Sequence, residues 1–234
     1  MHDKQVAFPA AAYYLSRFKL EERVPDRKEI EDVLAMRHGA AIQARIQQGV
    51  VGIMGLGGLG SAVAVALVRI GIGKLLLADY DVVELSNLNR QYYFADQIGL
   101  PKTVALRGTL LRINPYVCLE TITERLSEER IPLLFKGVDV LVECFDDPVM
   151  KPAALRAALT GLAGVGYVGA SGMAGFGDNN RIVTRRIYPR VYLVGDAEAE
   201  VGPNQGLMAP RVGIAAHHQA NQVLRLLLGV DEES

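Results

Sequence analysis

Residues 50–68, "VVGIMGLGGLGSAVAVALV", constrain this chain more than any other stretch. An aliphatic run suited to a buried strand leads into glycines, and an apolar run suited to a buried helix comes after them. Gly55, Gly57 and Gly60 have G-x-G-x-x-G spacing directly between the two. Glycines let the backbone turn tightly and let a phosphate approach, while the helix N-terminus offers amide donors and a positive dipole end. A strand of this kind, apolar on both faces, needs neighbours on both edges and helices above and below. The unit therefore predicts an α/β layer with a nucleotide site at the turn. The same spacing serves NAD, FAD and ATP sites, so the loop does not choose its ligand.

The rest of the chain continues the alternation. "KLLLAD", "VCLETI", "VDVLVECF" and "VGYVGAS" read as strands, and "KTVALRGTLLRIN" and "DPVMKPAALRAAL" as helices. This pattern predicts a Rossmann-like, mostly parallel sheet covered on both faces. "NNRIVTRRIYPRVYLVGD" reads as a strand or antiparallel hairpin, and the segment from about Pro210 to Gly229 as a long closing helix. Ahead of the glycine loop, Asp26 and Glu29 form a capping-box pattern, Gly39 interrupts the helix and "AAIQARIQQ" resumes it. We expect a helical extension over residues 1–48 and one nucleotide-binding domain over 49–234. The 234 residues, half of them hydrophobic, can bury one sizeable core. A net charge of −1 argues against a nucleic-acid-coating protein. Two cysteines make no disulfide framework, no apolar run reaches the roughly 20 residues of a membrane span, and the N-terminus is not patterned as a signal peptide. The expectation is a soluble cytoplasmic protein.

The residues beyond the loop are more specific. Asp79 ends the second strand at roughly the 20-residue distance where an acid accepts from ribose hydroxyls. "DYDVVELSNLNRQYYFADQIGLPKT" then adds Asn87, Arg90, Gln91 and Lys102. Arg90 offers a bidentate fork and Lys102 a compact point charge, both suited to triphosphate oxygens. Pro101 sets the start of the helix carrying Lys102. A nicotinamide enzyme has no evident use for this set.

"GLGGLGS", "DYDVVELSNLNRQ", "GLPK" and "ECFDDP" resemble the ubiquitin-activating-like adenylyltransferases, the ThiF/MoeB/HesA family, over roughly residues 50–229. "GASGMAGFGDNN" and "GLMAPRVGIAAHHQAN" are most similar to its zinc-less ThiF branch, which serves thiamine biosynthesis. The resemblance implies ATP and Mg²⁺, and a ubiquitin-like sulfur carrier (ThiS-type) ending in Gly-Gly as partner. It places Gly55, Gly57, Gly58 and Gly60 in the nucleotide loop and Asp79 on the ribose. Asn87, Arg90 and Lys102 would contact the triphosphate, Asp146 the magnesium, and Asp81 and Gln91 would support them. Many relatives are homodimers in which an N-terminal arginine reaches ATP, and Arg37, ahead of Arg45, is the candidate here.

The chain departs from the family in lacking paired CxxC motifs, so no structural zinc is expected. Cys118 and Cys144 read as small buried hydrophobes, which leaves sulfur loading to a separate donor. His217 and His218 read as a packed pair, and Arg181, Arg185, Arg186 and Arg190 as a solvated strand face. Gly202, Pro203 and Asn204 read as a loop over the site. The alternatives are adenylation of a MoaD-type (molybdopterin) carrier or of a small-molecule or tRNA-linked carboxylate, an NAD-dependent oxidoreductase, and a non-catalytic partner subunit.

Overall fold

The structure, a computed structural model, describes residues 23–199, 202 and 205–230. Pro203, Asn204 and the first 22 residues of the expected extension lie outside them. Two short helices open the described chain, α1 (Arg27–His38) and α2 (Ala40–Gln48). The Asp26–Glu29 capping box starts α1, and Gly39 ends it at φ +89°. The core then alternates: β1 (Val50–Met54), α3 (Gly58–Arg69), β2 (Lys74–Ala78), α4 (Lys102–Ile113), β3 (Cys118–Ile122), α5 (Ile131–Leu134), β4 (Val140–Glu143), α6 (Met150–Gly161) and β5 (Gly166–Ala170). The chain closes with β6 (Val183–Tyr188), β7 (Val191–Gly195) and the 20-residue α7 (Ala209–Leu228).

The seven strands lie in the order β3-β2-β1-β4-β5-β7-β6. All pairs are parallel except β6–β7, so the late arginine-rich run is a hairpin. Strand order reverses direction between β1 and β4, which opens a crevice at the carboxyl ends of those strands. Alternate residues of β1 serve different layers. Val51 and Ile53 pack in the cluster with α3, α4 and α7, whereas Met54 packs in the cluster with Phe135 and α6. Gly52 makes room for that second layer, since a Cβ there would sit 2.5 Å from the Phe135 ring. Helix α3 is buried along nine of its twelve residues, between the sheet and α7, which explains its unbroken apolar sequence.

Two expectations are corrected. Cys118 is exposed, because β3 is an edge strand with no neighbouring strand on its outer side among the described residues. Helix α6 begins at Met150, later than "DPVMK" suggests, so Asp147 lies ahead of it. The Asp147 carboxylate instead accepts from the Val149 amide at 2.8 Å in a turn ahead of the helix. Among the described residues no helix is long and apolar enough to cross a membrane.

Candidate nucleotide and carboxylate site

A cavity of about 450 Å³ opens at the crevice. The glycine turn forms its floor. Gly55 sits at φ +86°, a conformation that favours glycine. A Cβ on Gly60 would lie 1.9 Å from the Gly55 carbonyl oxygen, so that position must be glycine for the turn to close. Above Gly57 the nearest atom to a built Cβ is Gln91 Nε2 at 3.7 Å, which leaves the space over the α3 N-terminus open.

Asp79 locks this turn. Its Oδ2 accepts from the Leu56 amide at 2.6 Å and its Oδ1 from the Asp81 amide at 2.8 Å. The segment from Val82 to Pro101 is an excursion pinched at its base, where Val82 and Pro101 pair and Val83 N donates to Leu100 O at 2.9 Å. That closure returns Lys102 to Asp81, and Nζ meets Oδ2 at 2.7 Å. Two further bonds pin the excursion to the glycine turn. Tyr92 N donates to Ser61 Oγ at 3.1 Å, and the buried Tyr93 hydroxyl donates to Leu56 O at 2.8 Å. Burial, with Asp79 nearby, pushes the Tyr93 phenol up and keeps it a donor.

Of the residues singled out from the sequence, Gly55, Gly57, Gly58, Asp79, Asp81, Arg90, Gln91, Lys102 and Asp146 line the cavity. Gly60 stands behind it as packing. Asn87 does not line it, because its Oδ1 accepts from Glu84 N at 3.1 Å within the 3₁₀ turn that carries Arg90 toward the glycines. Arg37 is exposed on α1, a turn beyond Leu34, whose side chain packs against Gly71 at the amino end of β2. That is the opposite end of the sheet from the cavity. Arg45 donates to Leu228 O at 2.7 Å and caps α7. His217 bonds Gly213 O and His218 bonds Thr184 Oγ1, so they form two separate contacts.

Sequence reasoning passed over the wall residues Tyr80, Arg125 and Lys151, and Glu143, which pairs with Lys151 without lining the cavity. Tyr80 and Arg125 both line the cavity, with the guanidinium 5.5 Å from the ring centroid. Tyr80 between two acids was the available signal. Glu143, 2% exposed, accepts from Lys151 Nζ at 2.9 Å and from Phe145 N at 2.8 Å. Burial pushes the Glu143 carboxyl up, and Lys151 only partly offsets it. Lys151 also donates to Ala170 O at 2.9 Å and so joins the ends of β4 and β5. Nothing in the spacing of Glu143 and Lys151 separates them from a surface pair, and only the burial of Glu143 does so. Cys144 is buried beside Gln219, and burial pushes its thiol well up.

The lining carries four cations (Arg90, Lys102, Arg125, Lys151) against five carboxylates (Asp79, Asp81, Glu124, Asp146, Asp147). Arg90 has no acidic partner among the described residues. It donates to Ser86 O at 3.2 Å and Asn89 Oδ1 at 2.8 Å. Asp146 is exposed at the end of β4 and accepts no bond from the described residues.

Comparison with known proteins agrees with this architecture. Residues 31–234 match the ThiF family. The chain is 31% identical over 188 residues to the adenylyltransferase and sulfurtransferase UBA4 of Yarrowia lipolytica, covering 78% of this chain and 46% of that one. It is 40% identical over 114 residues to ubiquitin-like modifier-activating enzyme 5 of Caenorhabditis briggsae, covering 48% of this chain and 26% of the relative. The chain thus spans less than half the length of these curated relatives. Escherichia coli tRNA N6-threonylcarbamoyladenosine dehydratase, solved in complex with AMP, superimposes with a TM-score of 0.79 at 19% identity, over 91% of this chain and all of that one. The matched span runs from α1 through α7 and contains the glycine turn, the Asp79 lock and every wall of the cavity, so the chain belongs to the ThiF family.

Proposed function

We propose that this chain is an ATP-dependent adenylyltransferase acting on the C-terminal Gly-Gly carboxylate of a ubiquitin-like sulfur carrier of the ThiS type. The observation that carries this reading is the meeting of Arg90, Lys102 and Asp146 over the glycine turn and Asp79. Support comes from relatives named as adenylyltransferases and modifier-activating enzymes, and from fold neighbours solved with AMP and with ATP. The ThiS-type choice rests on the C-terminal motifs "GASGMAGFGDNN" and "GLMAPRVGIAAHHQAN".

In the reaction a carboxylate oxygen attacks the α-phosphorus in line. The bond from that phosphorus to the bridging oxygen breaks, and pyrophosphate leaves with the electron pair. The carboxylate is already ionised at neutral pH, so no general base is required. The obstacle is the approach of an anion to a polyanion, and catalysis is positioning plus charge neutralisation. Asp79 would hold the ribose, the amides over Gly57 and Gly58 the phosphates, and Arg90 the charge that moves onto the leaving group. Lys102 would act with its orientation set by Asp81. A lining with more carboxylates than cations repels a bare triphosphate and suits one complexed with a divalent ion. Asp146 would hold Mg²⁺, and the ion would supply charge neutralisation there.

Neither cysteine is poised for covalent transfer in this reading. Cys144 is buried with a raised thiol, and Cys118 pairs in register with Lys74 at the amino end of the sheet, away from the cavity. A separate protein would therefore supply sulfur. The reading also includes residues 1–48 as an extension to the domain at 49–234, a cytoplasmic location and a homodimer, with Arg37 reaching the partner's cavity. The deciding test is ATP–pyrophosphate exchange with Mg²⁺, with and without ThiS-type and MoaD-type carriers. Exchange that requires a ThiS-type carrier is expected. Exchange only with MoaD-type carriers moves the substrate, and NAD binding without ATP binding removes the reading. Asp146→Ala should abolish exchange and leave the melting temperature unchanged.

A further inference from the structure

An ion pair with both side chains buried lies on the other side of the crevice from Asp79. Arg211, in the first turn of α7, and Asp196, just past β7, have side chains only 5% and 4% exposed. Arg211 Nη2 donates to Asp196 Oδ2, and Nη1 donates to Gly177 O at 2.6 Å and Asp178 O at 3.0 Å. Asp196 Oδ1 in turn accepts from the amides of Glu198 at 2.9 Å and Ala199 at 2.8 Å. One guanidinium thus ties three segments together: the loop after β5, the loop after β7 and the start of α7.

The backbone around the pair leaves no slack. Asp196 N donates to Gly172 O at 3.0 Å and Ala197 N to Ser171 O at 3.2 Å. A Cβ on Gly172 would lie 2.2 Å from Asp196 Oδ1, and one on Gly195 would lie 1.7 Å from Ser171 O. A buried ion pair contributes little net stability over a well-packed apolar residue of its size. What it supplies here is a fixed spacing between the three segments.

Those segments make one wall of the cavity through Ala170, Ser171, Gly172, Met173, Ala174 and Ala199. In strand order the wall stands after β5 and β7. Asp79 stands after β2 and the glycine turn after β1, with β4 and Asp146 between. At about 4.8 Å per strand, the wall is roughly 14 Å from the acid that would take the ribose. Apart from Met173, its described residues are small side chains and backbone, against which an extended chain can lie closely, and Lys151 meets it at Ala170 O, 2.9 Å away.

We propose that Arg211 and Asp196 are positioning residues that hold the acyl-side wall, and so set affinity for the carboxylate substrate and not for the nucleotide. This rests on the adenylation reading. The test uses the full chain with Arg211→Met, Arg211→Lys and Asp196→Asn. ATP affinity is measured by calorimetry, KM and kcat for the ThiS-type carrier by pyrophosphate exchange, and loop protection by deuterium uptake. Arg211→Met should raise the carrier KM about tenfold, with kcat and ATP affinity within about twofold. Deuterium uptake should quicken at 171–178 and 196–199 and stay unchanged at 55–60 and 79–91. Arg211→Lys, a point charge that cannot span three acceptors, should fall between. If Arg211→Met does not fold, the other two variants carry the same comparison. ATP affinity weakened as much as the carrier KM, or unchanged protection in the two loops, overturns the proposal. If the wild type shows no carrier-dependent exchange, the adenylation reading falls and the clamp is judged on loop protection alone.

Discussion

The two halves of the cavity are built by different means. The half over β1 and β2 is set by backbone conformation. Gly55 is in the left-handed region, Gly60 packs against Gly55, and Asp79 is satisfied by two main-chain amides. The half over β4, β5 and β7 adds, to glycines of its own at 172 and 195, long side chains that cross between elements. Lys151 bridges Glu143 and Ala170, Gln219 Nε2 on α7 donates to Glu143 O at 3.0 Å and Val168 O at 3.3 Å, and Arg211 joins Asp196 to the β5 loop. A site made from backbone geometry depends on glycines that cannot be replaced. A site made from bridging side chains depends on burial, and its parts can come from anywhere in the chain.

The largest effect should come from breaking the backbone-built half. Gly60→Ala places a methyl carbon in the Gly55 carbonyl and should cost about 4 kcal/mol or prevent folding, read as denaturant midpoint. Next is Arg90, which lines the cavity with no acidic partner among the described residues. Arg90→Ala should lower exchange about 100-fold while stability changes by less than about 1 kcal/mol. A comparable loss of stability would make Arg90 structural.

The side-chain half can be probed by pH. Burial alone would raise the Asp196 carboxyl. The amides of Ala199 and Glu198 and the Arg211 guanidinium outweigh it and hold the carboxyl below the ordinary aspartate value of 3.8. A lowered folded value means the contribution is fully present above 3.8 and is lost as pH falls through the lowered value. The stability gap between wild type and Asp196→Asn should therefore be constant near neutrality and close in acid, in urea unfolding at several pH values. The smallest effect should have the opposite sign. Gly108→Ala, in mid-α4 with open space around its Cβ position, should stabilise by about 0.5–1 kcal/mol and leave exchange unchanged.

The strands from Val50 to Ala170, the long closing helix and the Asp26 cap are all legible from periodicity and punctuation, because they depend on local patterns. The half over β1 and β2 is legible for the same reason, since a turn and its locking acid lie within one strand–helix–strand unit. The exposure of Cys118 was passed over although Glu120 and Thr121, polar residues in the strand CLETI, were the available sign of a sheet edge. The start of α6 is not legible, because an aspartate before a proline can cap a helix or a preceding turn.

By itself, then, the order of residues determined the alternation of elements, the glycine turn and the acid that closes it, all of which depend on short-range backbone chemistry. Which strands became edges, which end of the sheet received α1 and Arg37, and which charges were buried were decided only by tertiary structure. The reason is physical: desolvation and strand order belong to the assembled layers, and residues 143 and 151 or 196 and 211 become partners only when those layers close around them.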